Sequence, residues 1–167
     1  SCCPTFVHSI VVMTLPDVAA AILRRRDGRV LAVRPADEAG FRLPGGRILP
    51  GETALDAVLR ELHALATIPL HERDVRFFAF YSPERADAGP RLVELYEAPR
   101  PVETARAARG AELRWIDLRH PDPDLDRTLA ELLPALRVRD DDPDSGTVPA
   151  HRRRTTTFRL GLRSVRA

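Results

Sequence analysis

Gly45 and Gly46, followed by Glu52, Arg60 and Glu61, are the residues of this chain whose types and spacing can do chemistry. Two glycines after Pro44 read as a turn whose missing side chains let a ligand come against the backbone. Hydrolysis of a diphosphate needs a divalent cation to neutralise phosphate oxygens and a positioned water to attack phosphorus. Carboxylates supply ligands for such a cation, and Mg2+ accepts one or two of them when waters and substrate oxygens complete its octahedron. Arg34, Arg42 and Arg47 flank the glycines and suit bidentate contact with phosphate.

The elements that must hold these residues follow from local pattern. Val18 to Arg26 and Arg29 to Arg34 are strand-like runs about Asp27-Gly28, a dipeptide that favours a type I′ hairpin turn. Pro35 to Gly40 reads as a polar loop, Phe41 to Leu43 as a short strand, and Pro44-Gly45-Gly46 as a turn. Thr53 and Asp56 form a capping-box spacing ahead of a helix that runs to about Ala66 and stops before Pro69. On a helical wheel Leu55, Val58, Leu59, Leu62, Leu65 and Ala66 share one arc, the face that packs on a sheet. Val75 to Tyr81, Arg91 to Glu97 and Glu112 to Leu118 read as three more strands, and Leu125 to Arg137 as a second amphipathic helix.

The spacing of Gly46, Glu52, Arg60, Glu61 and Leu62, with Leu43-Pro44-Gly45 before it, resembles the Nudix box of the Nudix hydrolases. The order of hairpin, glycine turn, capped helix, closing strand and final helix agrees with that resemblance over about Asp17 to Arg137. It implies a Nudix-type α/β/α sandwich with a mixed β-sheet and two main helices. It also implies a hydrolase acting on a nucleoside diphosphate linked to another group, with Mg2+ or Mn2+ as the cation, weakly bound.

Carried over position by position, Glu61 is the metal-ligand and catalytic candidate, Arg60 its brace, and Glu52 a secondary orienting carboxylate and metal candidate. Gly45 and Gly46 become the loop that the diphosphate meets. The box is degenerate: Ala64, Leu65 and Thr67 stand where the family has Glu, Glu and Gly, and Leu49-Pro50 replaces an acid before Gly51-Glu52. Reduced activity is therefore expected, and a ligand-binding module for a nucleotide or an ADP-ribose-like molecule is the alternative. Thr67 removes the easiest left-handed helix stop, so the turn after the helix is expected to change shape.

Replacement acids are sought beyond the box among Glu97, Glu103 and Glu112. Glu112, at the entrance to the closing strand, is the best placed and is carried as a catalytic candidate. Phe41 or Tyr81 would either stack on a base or pack the core, and His63 falls on the solvent side of the wheel.

All 26 basic residues are Arg, which leaves every cationic contact to planar guanidinium groups. Residues 145–167 hold six Arg and no acid, while residues 1–144 hold 20 Arg against 24 acids. The division expected is an N-terminal tail at 1–16, a Nudix-like domain at 17–137, and an acidic linker with a disordered basic tail at 138–167. That tail gives a route to nucleic acid through counterion release, set against a merely solubilising role. Cys2 and Cys3 are adjacent and match neither a disulfide framework nor a metal spacing. The Ile10 to Met13 apolar run is too short to cross a bilayer, so a cytoplasmic protein without membrane contact is expected. The resemblance makes a homodimer an expected state.

Overall fold

β1 (Val18–Ile22) is an apolar run of small residues because both of its faces are covered. Ala19 and Ala21 point into one core and Ala20 and Ile22 into another, the period-two alternation of a strand. A computed structural model describes residues 15–83, 92–108 and 110–138. After β1 come β2 (Val30–Pro35), β3 (Gly45–Arg47), α1 (Ala54–Ala66), a one-turn 3-10 helix (Glu72–Asp74), β4 (Arg76–Tyr81), β5 (Val93–Glu97), β6 (Ala111–Ile116) and α2 (Arg127–Val138).

The strands form a four-stranded mixed sheet in the order β3-β1-β5-β4 and a two-stranded sheet of β2 and β6. β1 runs parallel to β5 and antiparallel to β3, and β2 pairs antiparallel with β6. α1 covers one face, where Val58, Leu62 and Ala66 pack with Ala19, Leu23 and Leu31. α2 covers the other, where Leu129, Leu132, Leu133 and Leu136 pack with Ile22, Phe41 and Leu95. The result is the expected α/β/α sandwich.

α1 begins as its capping box dictates. The Thr53 hydroxyl accepts from the Asp56 amide at 3.1 Å and the Thr53 amide donates to Asp56 Oδ2 at 3.1 Å, which satisfies amides that a helix start leaves unpaired. Of the anticipated face, Val58, Leu62 and Ala66 are buried, and Leu55 and Leu59 pack part-buried against the same core. Ala57 joins them at 0% exposure, while half-buried Leu65 is not part of that cluster. The helix ends at Thr67, whose φ of 43° and ψ of 48° are left-handed. The turn thus keeps the shape glycine would give it, a costly conformation for a β-branched residue and not the altered turn expected from the substitution.

Three other expectations are corrected. Arg24 bridges Val30, so β1 and β2 do approach as a hairpin. The Arg25 amide donates to Arg29 O at 2.8 Å and the Gly28 amide to Arg25 O at 2.9 Å, and only Gly28 of this turn has positive φ. That is a three-residue loop with a glycine bulge in place of a type I′ turn. Phe41 and Arg42 make single bridges, to Leu125 and Val33, instead of a strand. Gly45 and Gly46, expected as a turn, lie in edge strand β3 opposite Ala20 and Ala19.

Among the described residues no helix is long and apolar enough to cross a membrane. The expected N-terminal tail to residue 14, Gly89 and Pro90 of the β4–β5 loop, and the linker and basic tail beyond Val138 lie outside the described residues.

Candidate active site

The two glycines of β3 do different jobs. A Cβ on Gly45 would stand 2.2 Å from Ala19 O and 2.5 Å from Ala20 Cα, so this glycine permits close backbone packing of β3 on β1. A Cβ on Gly46 would stand 2.7 Å from Cδ and 2.8 Å from Oε1 of Glu61. Gly46 therefore makes room for a carboxylate: the Glu61 carboxyl group lies directly against its backbone. The Glu61 side chain keeps 18% of its exposure, so the group is pressed on the strand and still open to solvent.

One arginine fixes this arrangement. Arg60, next to Glu61 on α1, donates from Nε to Glu52 Oε1 at 2.8 Å and from Nη2 to Glu52 Oε2 at 3.0 Å. Its Nη2 also reaches Arg47 O at 2.9 Å, and its Nη1 bonds Glu61 Oε1. The planar fork thus ties α1, the end of β3 and the 47–52 loop together. Glu52 also accepts from the Leu49 amide at 2.9 Å. The Arg60 hydrogen bond, then the Leu49 amide, hold the Glu52 carboxyl down at about 2. Arg60 is in turn held more firmly protonated, by Glu52 first and also by Glu61.

Gly46 has a second side. On the α2 face of the sheet a cavity of about 410 Å³ is lined by Gly45, Gly46, Arg42 and Arg47, by apolar residues including Leu95 and Leu132, and by Asp126 and Thr128 of the α2 start. That volume suits a small-molecule site. Arg47 is exposed at its rim and forms no ion pair among the described residues. Glu61 and the cavity therefore meet across a single glycine.

A family model for the NUDIX domain matches residues 14–136. The chain belongs to the NUDIX domain family. Solved structures with the same fold include a MutT protein from Methanosarcina mazei Go1, 16% identical over 75% of this chain and 94% of that one, with a TM-score of 0.61. A MutT NUDIX hydrolase from Burkholderia pseudomallei is 21% identical over 72% of this chain and 98% of its own, at a TM-score of 0.59. A C. elegans Ap4A hydrolase is 16% identical over 74% of this chain and 95% of its own, at 0.55. None of the curated proteins compared matches this sequence.

Hydrolases of this family generally use divalent metal ions, and the donor set of this NUDIX domain limits how one is held. Among the described residues no three Asp, Glu, His or Cys side chains are placed to grip a metal together. Ala64, one turn past Glu61, is exposed, and Leu65 is half-buried. Both Glu52 oxygens are taken by Arg60 and the Leu49 amide, so Glu52 anchors the brace and is not a free metal ligand. Glu61, sharing one oxygen with Arg60, fits a cation whose other ligands are water and substrate phosphate, and does not fit an all-protein cage.

The remaining sequence candidates divide. Arg42 lines the cavity, pairs with Glu38 at 2.8 Å and bonds Gly45 O, so it props the glycine strand. Arg34 is drawn away: it is bonded to Glu112, and its guanidinium sits 4.7 Å from the Phe41 ring, with that of Arg114 at 4.1 Å. Glu112 also accepts from Arg114 at 3.2 Å, and Arg34 above all holds its carboxyl below the usual range. Glu112 is thus a structural counter-ion of the two-stranded sheet and does not line the cavity. Glu97 is paired with Arg76 at 2.8 Å and Glu103 with Arg26 at 3.2 Å. Phe41, fully buried, belongs to the core. Tyr81 packs against the same core and donates to Glu131 Oε2 at 2.5 Å, and His63 is exposed.

Sequence reasoning passed over Asp126 and Thr128. The available signal was capping: Asp126 Oδ1 accepts from the Leu129 amide at 2.7 Å at the start of α2.

Proposed function

We propose that this NUDIX domain is a slow hydrolase that cleaves the diphosphate of a nucleoside diphosphate linked to another group, with Mg2+ or Mn2+ arriving largely with the substrate. The observation that carries this reading is the position of Gly46, with the Glu61 carboxyl against one side and the cavity on the other. A nucleoside in the cavity would lay its diphosphate along β3, where Gly46 lets it approach the backbone and Arg47 offers a guanidinium that no acid among the described residues pairs with. The Arg60 bond to Glu61 Oε1 holds that carboxyl beside Gly46, and the contacts to the Glu52 carboxylate and the Arg47 carbonyl keep Arg60 in place. When bound, a divalent cation would neutralise phosphate charge, with Glu61 as its ligand from this chain.

Slowness follows from having one helical carboxylate where the box usually has several, and the same fact favours a second reading. Ala64 and Leu65 leave a site able to hold a nucleotide or an ADP-ribose-like ligand as a sensor without turning it over. A panel of nucleoside diphosphate derivatives, assayed with Mg2+ and Mn2+ for phosphate-containing products, separates the two. Product formation that rises in the Ala64→Glu, Leu65→Glu double variant supports the hydrolase. Ligand-dependent thermal stabilisation with no product in either protein supports the sensor.

A further inference from the structure

β4 is an edge of the four-stranded sheet, and it shows two aromatic rings to solvent: Phe77 is 47% and Phe80 45% exposed, with ring centroids 5.0 Å apart. The register places Phe77 opposite Tyr96 and Phe80 opposite Glu94. Because Tyr96 packs with the core under α1 and meets the Phe77 ring edge-on at 6.3 Å, the two rings continue the α1 side of the sheet beyond the core that the helix covers. Phe78 and Tyr81 pack instead into the core under α2. Two acids border the exposed rings: Glu94 accepts from the Tyr96 hydroxyl at 2.7 Å, and Asp56 of α1 lies in electrostatic range of the same hydroxyl. No cation among the described residues pairs with either. Arg76, at the start of β4, is already matched by Glu97 at 2.8 Å.

An exposed aromatic pair beside unmatched carboxylates suits an apolar segment flanked by guanidinium groups, which stack on rings and pair with acids. This chain carries one. In Phe158-Arg159-Leu160-Gly161-Leu162-Arg163 apolar residues alternate with Arg and Gly, so Phe158, Leu160 and Leu162 share one side of an extended backbone. Arg152, Arg153 and Arg154 precede this stretch, Arg166 follows it, and residues 145–167 hold no acid. The chain between Val138, where α2 ends, and Phe158 can stretch to about 65 Å, roughly twice the width of a domain of this size. Reach is therefore no obstacle. A second copy is the poorer occupant, since it would bring the same two acids, and the register shift at Phe78 twists the β4 edge out of the flat row that edge-to-edge pairing needs.

We infer that residues 158–163 dock on the Phe77, Phe80 and Tyr96 face of their own chain, with the flanking arginines beside Glu94 and Asp56. Chymotrypsin cleavage after Phe158 reads this in the full chain, because the protease takes only the released segment. The Phe77→Ser, Phe80→Ser double variant is expected to be cut there about tenfold faster than wild type, the change that follows when docked chains outnumber free ones about ten to one. Both rings are half exposed, so the variant should fold, and an unchanged far-UV dichroism spectrum checks it. NMR of the wild-type chain needs no substitution: cross-relaxation is expected between the Leu160 or Leu162 methyls and the Phe77 and Phe80 rings, weakening as salt screens the arginines. Equal cleavage rates in a folded variant, or no ring-to-methyl contact, overturns the inference. Protection and contact that vanish on dilution give the face to the tail of a second copy and overturn it equally.

Discussion

Two carboxylate–guanidinium clusters that share charge in different ways lie in this domain. On α1, two acids, Glu52 and Glu61, share one cation, Arg60. On the β2–β6 sheet, Glu112 is held by two cations, Arg34 and Arg114, both stacked on Phe41, and Arg114 also reaches Asp122 at 3.7 Å and Asp124 at 3.8 Å. The first cluster has negative charge left over and keeps Glu61 partly open beside Gly46. In the second, Glu112 is held by two guanidinium groups, and these lie over the buried ring of Phe41. An arginine beside a glutamate is therefore no evidence of chemistry by itself. How many guanidinium groups hold the carboxylate itself, and what lies on its open side, decide whether a pair binds a cation or staples a sheet.

The largest effect that separates the clusters should be on turnover. If the domain hydrolyses its ligand, Glu61→Gln should lower kcat by about 100-fold or more, whereas Glu112→Gln should change it less than about threefold. A large loss from Glu112→Gln at unchanged thermal stability would place the chemistry in the wrong cluster. Next in size is Gly46→Ala. The new methyl meets a side chain pinned by Arg60, so the carboxyl must swing away, with about tenfold lower kcat and a smaller change in stability. A crystal structure of that variant with Glu61 unmoved would contradict the close-contact argument.

Removing the cations gives a smaller, thermodynamic contrast. Arg60→Met leaves two acids facing each other and should cost about 1–2 kcal/mol in urea unfolding, allowing for solvent screening of its part-exposed fork. Arg34→Met leaves Glu112 still paired with Arg114 and should cost less than about 1 kcal/mol. Equal losses would erase the distinction.

The smallest effect is in acid. The Glu52 carboxyl sits at about 2 in the folded chain against an ordinary 4.5. Because the folded value is the lower, its contribution is complete above the ordinary value and drains away as pH falls toward the folded one. Wild-type stability should therefore fall more steeply between about pH 5 and pH 3 than that of Glu52→Gln. Parallel slopes in urea titrations across that range would show that Arg60 does not hold Glu52 as described.

Some of this was legible beforehand because it is decided by residues a few positions apart. Thr53 and Asp56 cap their own helix, and the period of Val58, Leu62 and Ala66 names the buried face whatever it packs on. The order of the elements and the Arg60-Glu61 pair on α1 come from the same local information. Gly45 and Gly46 show where that ends. As a dipeptide they read as a turn, yet one is there because β1 passes within a methyl's width and the other because a helix sends Glu61 against it. Thr67 is the opposite case: its side chain argues against a left-handed turn, yet the chain takes one there and goes on to bury Ile68.

Local pattern was enough for the two helices, the longer strand runs and the box residues, because hydrogen-bond caps and side-chain periodicity act within a turn or two of chain; the short strand β3 escaped it. Contacts between segments settle which acid stays available, that Glu112 is spent on Arg34, that Glu52 is spent on Arg60, and that Asp126 lines a cavity. Those outcomes depend on which groups the fold brings within reach of one another, and a carboxylate's role is set by the donors and charges around it.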